Sequence, residues 1–128
     1  DISESALQHL AEAAKEAGLS INTEARDVSQ APPDTMSFDI IIVSRFLDRL
    51  IMPAIKAAVR PGGLVYYQTF ISDKAGSGGP RNPDYLLAQN ELLNFFTDWR
   101  IIHYKEEGTI GNLEQGFRNE AMLIAQKQ

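Results

Sequence analysis

The residues best placed to do chemistry in this chain close apolar runs. Ser44-Arg45-Phe46 follows Phe38-Asp39-Ile40-Ile41-Ile42-Val43, and Tyr67-Gln68-Thr69-Phe70 ends the run that begins at Leu64. Open α/β sheets bind ligands just outside the carboxyl ends of their strands, which is where these polar residues would stand. Arg45 there either holds an anion or is an exposed charge at a helix start. Phe46 either packs on a ligand or caps the core. Gln68 and Thr69 are expected to point into one crevice around Tyr67. Asp48 and Arg49 are expected to pair with each other and to matter only for a helix cap. Ile71 to Ala88 is rich in Gly, Pro, Ser and Asn and reads as a mobile loop. Either it closes over a substrate as a lid, with Arg81 and Asn82 as contacts, or it is an ordinary flexible connection.

Other chemistries lack their residues. His9 and His103 are far apart in sequence and have no carboxylate pattern beside them, so no metal site is expected. The chain has no Cys, which excludes a disulfide framework and a thiolate metal site and fits a reducing cytoplasm. No side chain stands out as a general base.

These residues must be positioned by a fold of 128 residues, a length for one domain. Hydrophobic residues at 44% and charged residues at 23% make an ordinary globular composition and exclude disorder for most of the chain. No apolar run is long enough to span a membrane. The net charge of −5 and isoelectric point near 4.9 argue against nucleic acid held by bulk phosphate attraction. They leave room for a small-molecule partner in a local basic pocket.

Periodicity gives the elements. Ser3 or Ser5 caps a helix over Ala6 to Ala17, with Leu7, Leu10, Ala14 and Ala17 on one stripe and Gly18 as its left-handed end. Ser20 to Val28 reads as a short edge strand, and Ser29 to Ser37, with Pro32-Pro33, as a loop. The β-branched run Phe38 to Val43 suits a central parallel strand buried on both faces. Arg49 to Val59 reads as a helix with Pro53 in its first turn, where the missing N–H costs nothing. Arg60-Pro61-Gly62-Gly63 is a turn and Leu64 to Phe70 a second buried strand. A short helix over Gln89 to Phe96, a strand over Trp99 to Glu106 and a last strand over Phe117 to Gln126 complete the chain, with Trp99 as a core anchor. Alternating strands and helices predict a three-layer α/β fold, and the turn between the last two strands makes that pair antiparallel.

In that order and spacing, four segments resemble the class I S-adenosylmethionine-dependent methyltransferases. Asp1-Ile2-Ser3 before a helix resembles the acidic end of the family's second strand. Arg26-Asp27-Val28 resembles the segment after its third strand. Phe38 to Val43 resembles its fourth strand, and Val59-Arg60-Pro61-Gly62-Gly63-Leu64-Val65 the turn into its fifth. Ser44-Arg45-Phe46-Leu47-Asp48-Arg49 and Gly79-Pro80-Arg81-Asn82-Pro83-Asp84-Tyr85-Leu86-Leu87 are similar to small bacterial members, including the tellurite-resistance methyltransferase group. Asp48 stands where that group is expected to carry His.

The resemblance implies a Rossmann-like sheet of order 3-2-1-4-5-7-6. Strand 1, the Gly-rich cofactor turn and most of strand 2 have no counterpart from Asp1 onward, since the chain opens on Asp1 and not on Met. Residues 1–128 are then one methyltransferase domain, incomplete at its N-terminus and inactive alone. Its fourth strand would be left with a bare hydrophobic edge. The implied cofactor is S-adenosyl-L-methionine. Asp1 and Ile2 are implied at its ribose, Asp27 and Val28 at its adenine, and Ser44 and Arg45 toward its methionine end. Phe46, Gln68, Thr69, Arg81 and Asn82 are implied toward an unidentified small-molecule acceptor. The alternatives are a non-catalytic methyltransferase-like binding module and another nucleotide-binding α/β enzyme. The antiparallel terminal pair counts against the latter.

Overall fold

The computed structural model describes residues 1–128, which fall into two compact units, Asp1–Pro33 and Asp34–Gln128. In the first, helix α1 spans Glu4–Glu16. The Ser3 side chain accepts from the Ala6 N–H, which satisfies one of the donors a helix start leaves free. At the other end Gly18 takes φ +68°, donates to the Lys15 carbonyl, and lets Leu19 donate to Ala14. This pair of bonds is a Schellman cap and needs a residue that tolerates the left-handed region. Of the apolar stripe only Ala14 is buried, and Leu10 stays 52% exposed.

The strand expected over Ser20 to Val28 does not form. What remains is one residue's worth of parallel pairing. The Arg26 N–H donates to the Asp1 carbonyl at 2.9 Å, and the Asp1 amino group reaches the Glu24 carbonyl at 3.4 Å. A strand needs a neighbour along its length to satisfy its backbone, and these residues have one only at Asp1. Beyond it, the Arg26 guanidinium gathers the chain by donating to the Ala31 and Pro32 carbonyls, both at 2.7 Å.

Residues 34–128 form a four-stranded sheet of order β1-β2-β4-β3, from β1 (Phe38–Ser44), β2 (Val59–Phe70), β3 (Arg100–Lys105) and β4 (Glu120–Gln126). β1 and β2 are parallel, and β4 runs antiparallel to both β2 and β3. The parallel step is made by a 3-10 turn over Arg49–Ile51 running into helix α2 (Met52–Ala58), where one continuous helix was expected. Pro53 lies in the first turn of α2, as its missing N–H requires. Asp48 caps the 3-10 turn by accepting from the Leu50 N–H at 2.9 Å.

The Arg60-Pro61-Gly62-Gly63 turn lies within β2 as an insertion between two registers, Phe38 opposite Val59 and Ile40 opposite Leu64. Arg60 donates to the Asp39 carboxylate at 2.8 Å and to the Met36 carbonyl at 3.1 Å. A Cβ on Gly63 would meet the Asp39 carbonyl oxygen at 2.6 Å, so only glycine lets the turn close against β1.

The core lies on one face of this sheet. Val65, Tyr67 and Thr69 of β2 and Ala121, Leu123 and Ala125 of β4 are buried there, with Met52, Ile55 and Ala58 of α2 and Leu92 of helix α3 (Glu91–Phe95). Phe96 and Trp99 complete it, their rings edge-to-face at 5.2 Å, and Trp99 is the expected anchor. Lys56 of α2 donates to the Phe95 carbonyl at 2.8 Å, which ties both helices together over the Tyr67 side.

The opposite face carries Ile40, Ile42 and Tyr66, which are 53%, 74% and 38% exposed. β1 is therefore not buried on both faces, as its composition suggested. It is an edge strand with β2 on one side, and both helices of residues 34–128 lie on the other face. No helix of the chain is long and apolar enough to cross a membrane.

Candidate active-site rim at the strand ends

The polar residues gather at one end of the sheet in residues 34–128. β1 and β2 end there at Ser44 and Phe70, and antiparallel β4 begins there, with Glu120 opposite Phe70. Glu120 is 3% exposed. Its carboxylate accepts from Arg45 Nε at 3.0 Å and from Gln68 Nε2 at 2.6 Å. A buried carboxylate is stable only when paired and hydrogen-bonded, and these two donors supply both.

Arg45 is held from three directions. Its backbone takes φ +53°, which is uncommon for a residue with a Cβ, and its N–H donates to the Gln68 carbonyl at 2.8 Å. Its guanidinium also lies 5.7 Å from the centre of the Phe70 ring. A cavity of about 480 Å³ opens beside it, lined among others by Phe70, Gly79, Phe117, Asn119 and Glu120. A second, of about 320 Å³, lies between Arg45, Phe46, Leu47, Thr69, Pro80 and Tyr85. Tyr67 supports this side, its hydroxyl donating to the Phe46 carbonyl at 2.9 Å. Burial pushes the Tyr67 phenol far above its usual range, with the nearby Asp48 charge adding to it, so it stays a donor.

The residues from Ile71 to Ala88 are tethered and not free. Lys74 Nζ donates to the Gly78 and Pro80 carbonyls at 3.0 and 2.8 Å. Gly76 N–H reaches Asn119 Oδ1 at 3.2 Å. Gly79, at φ +81°, lies so close to Phe70 that a Cβ would meet the ring at 2.6 Å. Farther on, Arg49 clamps the segment that leads into α3. It donates to both Glu91 oxygens at 2.6 and 2.9 Å, to the Asp84 carbonyl at 2.8 Å and to the Leu86 carbonyl at 2.9 Å. The expected Asp48–Arg49 pair does not form, because Asp48 is spent on its cap and Arg49 on Glu91.

Of the residues expected here, Ser44, Arg45, Phe46, Gln68 and Thr69 all stand at the rim. Gln68 and Thr69, however, do not share a crevice. Successive strand residues point to opposite faces, so Gln68 joins Glu120 while Thr69 is buried on the helix side and lines the smaller cavity. Arg81 and Asn82 are exposed and line neither cavity. Asn82 accepts from the Asp84 N–H at 3.0 Å and caps a short 3-10 turn, Pro83–Tyr85. The loop instead offers Gly78, Gly79, Pro80 and Tyr85. Glu120 is the residue that sequence reasoning missed. The available signal was a lone carboxylate heading the apolar run of β4.

In residues 1–33, one oxygen of the exposed Asp1 carboxylate accepts from the Ser3 N–H at 2.9 Å, and Ile2 is 68% exposed. Asp27 accepts from the Ser29 N–H at 3.0 Å and opens a turn in which Val28 is half-buried.

No family profile and no curated protein sequence matches this chain. Solved structures do. TehB from Haemophilus influenzae superposes with a TM-score of 0.76 at 23% identity, covering 100% of this chain and 48% of that one. An S-adenosylmethionine-dependent methyltransferase from Aquifex aeolicus gives 0.66 at 15% identity over 100% of this chain and 66% of its own. SpnF, described as a (4+2)-cyclase, gives 0.67 at 17% identity over 98% and 63%. The chain thus spans about half of the first and less than two thirds of the other two. One fold hosts differently named activities here, so the likeness speaks to architecture. Residues 1–128 carry, in part, the Rossmann-like fold of S-adenosylmethionine-dependent methyltransferases, with its antiparallel final strand pair.

Proposed function

We propose that this chain is part of an S-adenosylmethionine-dependent methyltransferase acting on a small molecule in the cytoplasm. The observation that carries this reading is the sheet order β1-β2-β4-β3 with β4 antiparallel, which is the 4-5-7-6 half of the order the sequence resemblance implied. The exposed edge of β1, with Ile40 and Ile42, supports a further strand pairing there in the intact domain.

The donor sets fit the cofactor's chemistry. Asp1 has a carboxylate oxygen beyond the one Ser3 uses, and a carboxylate accepts from ribose hydroxyls. Asp27 keeps an oxygen for an amino group, and Val28 follows it in the same turn. Ser44 ends β1, where a ligand of an open sheet binds, and the Arg45 backbone follows it while its side chain turns to Glu120. When bound, the cofactor supplies a sulfonium whose methyl group is already activated by positive charge. This chain's residues then hold and align an acceptor. Proximity and orientation of that kind account for about 7–11 kcal/mol of barrier in well-oriented systems. Phe46 and Thr69 line the smaller rim cavity, Gln68 supports the larger one through Glu120, and Arg81 and Asn82 lie farther out on the loop. No general base is assigned.

Thermal denaturation of the intact protein with S-adenosylmethionine, or with its demethylated product, tests the reading. Binding to the native state alone raises the melting temperature. Asp1→Ala should shrink that shift. A melting temperature unmoved by saturating cofactor would remove the enzymatic reading.

A further inference from the structure

The larger rim cavity has a composition that selects among acceptors. Arg45 spends only Nε on Glu120. The four N–H bonds of its two terminal nitrogens meet no protein acceptor, and its side chain is 63% exposed. They form the end of the guanidinium fork, which matches the two oxygens of a carboxylate.

The charges at the cavity also count. Arg118 lines it too, but each of its three nitrogens already donates once, Nε to the Gln115 carbonyl at 2.5 Å, Nη2 to the Asn112 carbonyl at 2.6 Å and Nη1 to the Ile110 carbonyl. Arg118 thus contributes charge, and its two remaining N–H bonds sit one on each terminal nitrogen, both nitrogens already turned to a backbone carbonyl. The lining residues alone, two guanidinium groups against the Glu120 carboxylate, sum to one net positive charge, and the Glu107 carboxylate behind Phe117 is paired with Lys105. The remaining lining is apolar where it matters. Phe70 and Phe117 present rings, and Gly79 brings only backbone against Phe70. A volume of about 480 Å³ is that of a small-molecule site and far exceeds what an inorganic oxyanion fills.

We propose that this cavity is the acceptor subsite and that it takes an organic monoanion, a carboxylate carried on an apolar or aromatic body. The Arg45 fork holds the carboxylate, Glu120 and Gln68 fix the fork, and Phe70 and Phe117 flank the body. The word acceptor rests on the methyltransferase reading above; the binding itself does not.

Calorimetric titration of the intact protein with phenylacetate, benzyl alcohol and inorganic phosphate tests this, with S-adenosylmethionine titrated in parallel. Phenylacetate should bind saturably, and about tenfold more tightly than benzyl alcohol or phosphate, since a charge-assisted pair is worth roughly that factor. Arg45→Gln should abolish the preference. Arg45→Lys keeps the charge without the fork, so it should weaken phenylacetate several-fold while leaving the melting curve near wild type. Glu120→Gln removes the opposing charge and should tighten phosphate. No saturable phenylacetate binding, equal binding of phenylacetate and benzyl alcohol, or an Arg45→Gln variant that binds phenylacetate unchanged would each overturn the proposal. Phenylacetate binding without S-adenosylmethionine binding would instead overturn only the methyltransferase reading.

Discussion

Arg45 and Arg49 stand four residues apart after the same strand, and both pair with a glutamate. They differ in what is left over. Arg49 gives four of its five N–H bonds to Glu91, Asp84 and Leu86, and no pair of donors remains for a ligand. Arg45 gives one nitrogen to Glu120 and keeps the end of its fork beside a cavity. The first joins the start of α2 to the start of α3. The second is held in place by a buried carboxylate and faces outward. Charge and neighbourhood in sequence are the same, so the distinction between a clamping arginine and one with donors to spare lies in the count of satisfied donors.

The largest effect on stability should come from the clamp. Arg49→Ala leaves Glu91 with only the Ala88 N–H and strips two carbonyls of their donor. The pair is partly solvent-exposed, which discounts its worth, so a loss of about 2 kcal/mol is expected by urea denaturation. Ligand binding at the rim should be unaffected. If Arg45→Gln destabilised the protein as much as Arg49→Ala, the comparison would break.

Next comes Tyr67→Phe. It removes the donor to the Phe46 carbonyl, one residue beyond Arg45, and should cost about 1–1.5 kcal/mol in the same assay. Arg45→Gln itself should cost about 1 kcal/mol, because the Arg45 side chain is largely exposed, which discounts the pair, and Gln68 still donates to Glu120. The Arg45→Gln, Glu120→Gln double variant should be no less stable than Arg45→Gln alone, since no buried charge is left uncompensated. A double variant clearly worse than either single one would mean that Glu120 has partners other than these.

The smallest effect is one of pH. The hydrogen bond from the Arg49 guanidinium holds the Glu91 carboxyl below its usual range, and the Ala88 N–H adds to it against the opposing pull of burial. A depressed carboxyl contributes stability above its unfolded pKa, and that contribution is lost as pH falls through the folded one. The stability gap between the wild type and Glu91→Gln should therefore narrow from about pH 5 toward about pH 3. A gap that widened on acidification would contradict the assigned cause.

Much of this was legible in the sequence because it is local. Pro53 could sit only in a first turn, Gly18 only at a left-handed cap, and Arg60-Pro61-Gly62-Gly63 only in a turn. The antiparallel final pair followed from the short connection between two apolar runs. What was not legible depends on pairing partners remote in sequence. Ser20 to Val28 alternates like a strand, but a strand forms only against a neighbour, and the only one it meets is Asp1. Ile40 and Ile42 read as buried because composition does not say which strand lies at an edge. Glu120 acquires its meaning only when the register sets it opposite Phe70, beside Gln68 and Arg45. The placement of Gln68 and Thr69 in one crevice was a plain error of strand periodicity.

The central proposal is that S-adenosylmethionine binds this protein, with Asp1, Asp27 and the end of β1 among its contacts. An amide chemical-shift map of the isotopically labelled intact protein, recorded with and without S-adenosylmethionine, tests it most directly. The account predicts saturable shifts at Asp1–Ser3, at Asp27–Ser29 and at Ser44–Phe46, with the Arg60–Gly63 turn unmoved. No saturable shifts, or shifts confined to the Arg60–Gly63 end of the sheet, would contradict it.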